Sequence, residues 1–192
     1  AEAPLAVAPG EVQSVARRLA WLAGEAHPLL GDLLLKSGSA FFRQGDFPAA
    51  RAVWSQLLEM QTRSRGPDSL EKAVVLGNLG RVTEGPDADR QSWDFHLRAL
   101  AIKRARLGER HPALIVNLEE LADLARNRNE PDLARRLLVQ ILRSAPRGHP
   151  HTTQPCLQLA DLYLEQGRTR IADRLIHQVQ HRLLQQASPH PS

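Results

Sequence analysis

Cysteine occurs once in the 192 residues, at Cys156, which excludes an internal disulfide framework and a metal cluster built from cysteines. Aromatic residues make up 4% of the chain, too few to give bases a stacking platform. Lysine is nearly absent: Lys36, Lys72 and Lys103 are the only ones among 25 basic residues. The pI of about 10.0 therefore rests on an arginine excess, and the formal charge is only +4. No basic tail or block supplies it. Residues 1–96 hold 10 basic and 12 acidic side chains, and residues 97–192 hold 15 and 9, so the positive charge belongs to the second half. Such a half attracts an acidic partner, whereas arginines scattered among acids are weak evidence for nucleic acid. No apolar run approaches the 18 or so residues needed to cross a bilayer. The chain opens "AEAPLAVAPGE" without Met, which fits a segment boundary or the mature end after signal-peptide removal. The cytoplasm is the expected compartment, with a mature secreted or periplasmic protein the alternative.

Leu and Ala dominate and β-branched residues are sparse, a composition that favours helix. The helices come in pairs. Before each predicted pair stands His27-Pro28, Ser69-Leu70, His111-Pro112 or His149-Pro150, with first residues 42, 42 and 38 positions apart. A fixed period in this range is the mark of a stacked repeat. Each pair then breaks at "RQGDF", "TEGPDA", "RNRNEPD" or "EQGRT". Early in the second helices lie Ala50, Ser92, Ala134 and Ala172, followed by Val53/Trp54, Phe95/His96, Leu137/Leu138 and Leu175/Ile176. One apolar stripe per helix follows from that spacing. Pro28, Pro112 and Pro150 suit helix starts, where a missing N–H costs nothing. Gly45 and Gly167 suit left-handed helix ends. Pro131 falls in a first turn, where Asp132 complements the positive helix end. Gly85-Pro86 replaces the Gln-Gly of the other breaks, so the second turn is expected to be distorted or one residue longer.

The pattern resembles tetratricopeptide repeats (TPR), in particular the 42-residue variety of kinesin light chains and their bacterial relatives. "ALAIKRARLGERHP", Ala99 to Pro112, matches that variety's joining phrase, and "LADLYLEQGRTRIA", Leu159 to Ala172, its helix–turn–helix portion. The family's small–large signature falls on Ser37-Gly38-Phe41, Leu79-Gly80-Thr83, Leu121-Ala122-Ala125 and Leu159-Ala160-Tyr163. The resemblance implies an all-α fold: a right-handed superhelical solenoid of antiparallel helix hairpins, about four of them plus an N-terminal helix. It divides the chain into an N-terminal segment 1–23, an array 24–187 with repeats of about 24–65, 66–107, 108–146 and 147–187, and a tail 188–192. Stepping back 42 residues from Trp54 and Leu57 reaches Val12 and Val15, so "GEVQSVARRLAWLAG" has the phase of a second helix, as a cap or a partial repeat. In the last helix Ile171, Leu175, Ile176, Val179 and Leu183 form the apolar stripe, and its far edge is expected to be open to a neighbour.

Catalytic constellations are missing: there is no nucleophile elbow, phosphate-cradling loop or metal-protease motif, so no enzyme activity and no cofactor are expected. In "GNLGRVTEG" the glycine at 80 takes the helix-packing position. His177 and His181 share a helical face, but no Cys or acid joins them, and no metal is expected. His27, His111 and His149 read as structural groups at the repeat junctions, and Cys156 as a buried, inert thiol.

The family's peptide-binding positions lie on the first helix of each hairpin, which lines the concave face. They carry over to Lys36, Ser39 and Arg43; Asn78 and Arg81; Glu120, Asp123 and Asn127; and Gln158, Asp161 and Glu165. Asn78 retains the asparagine whose amide can pair with both halves of a peptide bond. The basic set that grips a C-terminal carboxylate in the chaperone-binding relatives is not reproduced. Lys36, Arg43 and Arg81 are cationic while Glu120, Asp123, Asp161 and Glu165 are acidic, which implies a protein or peptide ligand of mixed charge. The leading expectation is an adaptor or scaffold that binds such segments in its concave groove. A structural protein associating with itself through the terminal helices, residues 11–22 and 169–187, is the alternative. Nucleic-acid binding through Arg126, Arg128, Arg135, Arg136, Arg143 and Arg147 ranks third, because Arg135 and Arg136 fall on the outer layer of second helices.

Overall fold

A computed structural model describes residues 9–24, 28–64, 69–146 and 150–187. The expectations for His27, Arg147, His149 and the tail 188–192 lie outside the described residues. The elements are α1 (Pro9–Ala23), α2 (Pro28–Gln44), α3 (Phe47–Ser64), α4 (Leu70–Arg81), α5 (Ala88–Leu107), α6 (Ile115–Asn127), α7 (Pro131–Ser144), α8 (Thr153–Glu165) and α9 (Thr169–Ala187). Single 3-10 turns at Pro112–Leu114 and Pro150–Thr152 lead into α6 and α8. Among the described residues the fold is all-α, built from antiparallel helix pairs. The contacts divide the chain into two compact units, one ending at Ile102 and the other beginning at Lys103, so the boundary falls inside α5.

In the first unit the core joins Leu30, Leu34 and Phe41 of α2 to Ala50, Val53, Trp54 and Leu57 of α3 and to Val75 and Leu79 of α4. Trp54 is almost wholly buried, and a fully buried side chain of this kind contributes roughly 1.5–3 kcal/mol. It fits only because Gly38 has no side chain: a Cβ there would overlap the indole ring. The Trp54 Nε1–H also donates to the Leu35 carbonyl at 3.4 Å, which satisfies the buried polar atom. The arrangement returns one period later, where a Cβ on Gly80 would stand 2.5 Å from Nε2 of the fully buried His96. Ala73, Leu76, Ala99 and Ile102 form a second cluster around that contact.

The second unit keeps the register with larger small residues. Ala122 and Leu138 are both fully buried where α6 meets α7, and Ala160 and Ala172 are buried where α8 meets α9. At the joining phrase, Lys103 Nζ donates to the Ala113 carbonyl at 3.0 Å and to the buried Asn117 side chain. Burial pushes this ammonium below its ordinary value. His111 plays the structural part expected of it: Nδ1 accepts from the Ala113 N–H at 3.1 Å.

The turns obey one rule with one exception. Gly45 (φ +80°) and Gly167 (φ +71°) adopt the left-handed conformation, and Asn129 does so at φ 58°. In each case the next N–H reaches back to the end of the first helix: Asp46 to Phe41 at 3.0 Å, Glu130 to Ala125 at 2.9 Å and Arg168 to Tyr163 at 2.8 Å. The second pair breaks the rule more than expected. The helix stops at Arg81, and residues 82–87 are non-helical where the first pair uses only 45–46. Val82 turns inward and is buried, and Thr83 Oγ1 donates to the Leu79 carbonyl at 2.8 Å, closing the helix early. Pro86 has no N–H with which to continue it.

At the ends, two expectations need correction or sharpening. Val12 and Ala16 of α1 are buried and Leu19 packs beside them, whereas Val15 is 48% exposed. The stripe therefore follows Val12, Ala16 and Leu19, a spacing of four and then three, which rotates Val15 out of the core. In α9, Ala172 and Val179 are buried while Leu183 is 49% and Leu184 69% exposed.

Candidate protein-binding faces

At 100° per residue, Lys36, Ser39 and Arg43 fall on the side of α2 opposite the buried Leu30, Leu34, Gly38 and Phe41. The same offset puts Glu120, Asp123 and Asn127 opposite Leu118, Leu121, Ala122 and Ala125 on α6. Asn78 and Arg81 on α4, and Gln158, Asp161 and Glu165 on α8, occupy the equivalent positions. Lys36 to Arg81 belong to the first unit, and Glu120 to Glu165 to the second.

In the first unit much of the positive charge is already engaged. Lys36 Nζ lies 2.7 Å from the Asp32 carboxylate, an exposed pair of modest worth. Ser39 Oγ donates to the Leu35 carbonyl of its own helix at 2.8 Å, so its hydroxyl hydrogen is already used. The Arg81 guanidinium stacks 4.4 Å over the Phe42 ring, a cation–π contact that ties α4 to α2. Arg43 is exposed in the last turn of α2, and Asn78 is half-buried in the middle of α4.

The second unit brings its residues closer together. Gln158 Nε2 donates to Asp123 Oδ1 at 2.9 Å, joining α8 to α6 across the face. Asp123, Asn127 and Glu165 line one cleft of about 410 Å³ with Arg126, Asn129, Pro131 and Leu162. Asp161 is exposed on α8 and Glu120 half-buried on α6, and neither lines this cleft. The sequence reading missed one member of the acidic set, Glu119, and the histidine beside it, His151. Glu119 Oε1 lies 3.6 Å from His151 Nδ1. Burial raises the Glu119 carboxyl above its ordinary value; Asp123 and Glu120 add to the rise, and His151 opposes it. Both are visible in the sequence as neighbours of Glu120 and Pro150, but only the tertiary fold brings the turn at 150–152 to Glu119.

Carboxylates, an amide and a leucine on one cleft can accept from cationic side chains, pair with an extended main chain and bury a methylene stem. Elsewhere, His177 Nδ1 is held 2.9 Å from the Asp173 carbonyl, and no group of three or more His, Cys, Asp or Glu among the described residues is placed to hold a metal ion. No described helix is long and apolar enough to cross a membrane.

The tetratricopeptide repeat family's sequence profile matches residues 29–86. No curated protein matches the chain. Among solved structures, BtubC (BKLC) from P. vanneervenii is similar at a TM-score of 0.78 and 16% identity, over 96% of this chain and 76% of that one. A Podosopora anserina kinesin light chain with nearly identical TPR-like repeats aligns at 0.72 and 18% identity, over 94% and 88%. MamA aligns at 0.66 and 15% identity, over 93% and 92%. At these identities the likeness defines the fold: the chain has the TPR-like helical-repeat fold.

Proposed function

We propose that the chain is a protein-binding scaffold or adaptor that takes peptide segments on the first-helix faces of its hairpins. The observation that carries this reading is the cleft of the second unit. There Asp123, Asn127 and Glu165 converge beside Leu162, and Asp123 is braced by Gln158. A surface that orients polar groups around an apolar floor suits a ligand's side chains better than bulk water. The acidic cluster of Glu119, Glu120, Asp123, Asp161 and Glu165 favours a lysine- or arginine-bearing segment. The face of Lys36, Ser39, Arg43, Asn78 and Arg81 in the first unit favours an acidic one, so a partner of mixed charge would offer a different segment to each unit. The 42-residue kinesin-light-chain type is the repeat we assign, on the return of Gly38/Trp54 as Gly80/His96 one period later. Selection of peptides from a random display library on the immobilised chain tests the reading. Basic segments should be enriched on the wild type, and their binding should fall about tenfold or more in Asp123→Lys/Glu165→Lys. Enrichment that survives this substitution removes the cleft from the site.

A second reading has its own observation. Val15, Trp21 and Leu22 of α1 and Leu183 and Leu184 of α9 are exposed, and such residues suit contact between copies. Sedimentation over a hundredfold range of concentration decides it: a constant monomer mass rules self-association out.

A further inference from the structure

Outside the first-helix faces, the second unit carries a cleft of about 510 Å³ walled by Arg135, Arg136, Val139 and Arg143 of α7 and by Glu109 and Arg110 of the loop before α6. We infer that this cleft is an anion-recognition site for a short, carboxylate-rich peptide segment of a partner protein. Like charges gathered around one hollow repel each other unless an anion joins them, and the local balance shows that none in the chain does so fully. Glu109 is the one acid on the wall, and it stands 3.1 Å from Arg104 Nε. Arg135 is partly spent on Asp132, at 3.2 Å, while its Nε is buried without a hydrogen-bond partner. Arg110, Arg136 and Arg143 are exposed and have no hydrogen bond or ion pair among the described residues.

The chemistry of the wall selects among anions. A guanidinium offers a planar fork of donors that matches a carboxylate with two parallel hydrogen bonds. Three unpartnered forks on α7 and the adjoining loop accept two or three successive carboxylates, and Val139 gives their methylene stems an apolar surface. No aromatic side chain lines the cleft, so bases would find nothing to stack on, and its volume suits a few side chains rather than a duplex. An acidic peptide is therefore favoured over nucleic acid. The site shares no residue with the acidic cleft and does not depend on it.

Fluorescence anisotropy of a labelled octaglutamate peptide with the full chain tests the inference. The wild type should bind, and Arg110→Gln/Arg136→Gln/Arg143→Gln should weaken binding about tenfold or more. The control Arg17→Gln/Arg18→Gln/Arg90→Gln removes the same charge from exposed sites on α1 and α5 and should change binding less than about twofold. If the first triple does not fold, judged by circular dichroism, Arg136→Gln alone should still cost about threefold. Equal losses in both triples, or no binding of octaglutamate to the wild type, overturn the site. A single-stranded DNA octamer that binds more tightly than octaglutamate overturns its ligand.

Discussion

Glycine at 38 is not there for flexibility: the residue lies in mid-helix, where a glycine costs roughly 0.5–1 kcal/mol against alanine. It is there because the Trp54 ring occupies the space of its Cβ. Gly38→Ala should therefore destabilise the chain despite the gain in helix propensity, by a net amount on the order of 1–2 kcal/mol, read from urea denaturation. No loss of stability would mean that the indole has room to move. Glu119 offers a second test, with a sign fixed by its raised carboxyl. Because the folded chain binds this proton more tightly than the unfolded one, the cost of burying the charge is full above the raised folded value. It vanishes below the unfolded value of about 4.5. Glu119→Gln should raise Tm at neutral pH, and the difference from wild type should shrink as pH falls through that window. A difference independent of pH would show that the carboxyl is not perturbed.

At the scale of elements, the turns connect sequence to packing. Each left-handed residue directs the following N–H onto Phe41, Ala125 or Tyr163, the third position of the small–large signature. Asn129 does this with a side chain, at φ 58°. Asn129→Gly should stabilise by a few tenths of a kcal/mol, and Gly167→Ala should cost about 1–2 kcal/mol, both by shift of the urea midpoint. Equal midpoints for the glycine and alanine variants would contradict the turn geometry. These positions also show what was legible in the sequence. Gly45 and Gly167 announced their conformation because glycine is the residue without a Cβ penalty, while Asn129 lay hidden in "RNRNEPD" among polar residues of similar appearance. Residues 82–87 were marked as irregular by Gly85-Pro86, yet the early stop of α4 depends on the burial of Val82, which no local pattern reveals. Val15 was misplaced because a 42-residue step carries over position but not the exact rotation of a helix that packs on its neighbours differently.

At the scale of the molecule, periodicity made the fold legible, whereas the candidate positions on the first-helix faces came from the resemblance to the repeat family. Contacts between neighbouring repeats were not legible. Gln158 of α8 meets Asp123 of α6, and His151 of the turn before α8 meets Glu119, each across more than thirty positions of sequence. The arginine cleft needs a loop and the solvent side of α7 to come together, and its residues read singly as a solvated surface. The proposed function turns on whether the acidic cleft binds a peptide segment. Titrating the isotopically labelled chain with a basic peptide from the display selection, and following its backbone amides by NMR, tests this most directly. Shifts concentrated at residues 119–127 and 158–165 are the predicted result. Shifts confined to α1 and α9, with those residues unmoved, would contradict it.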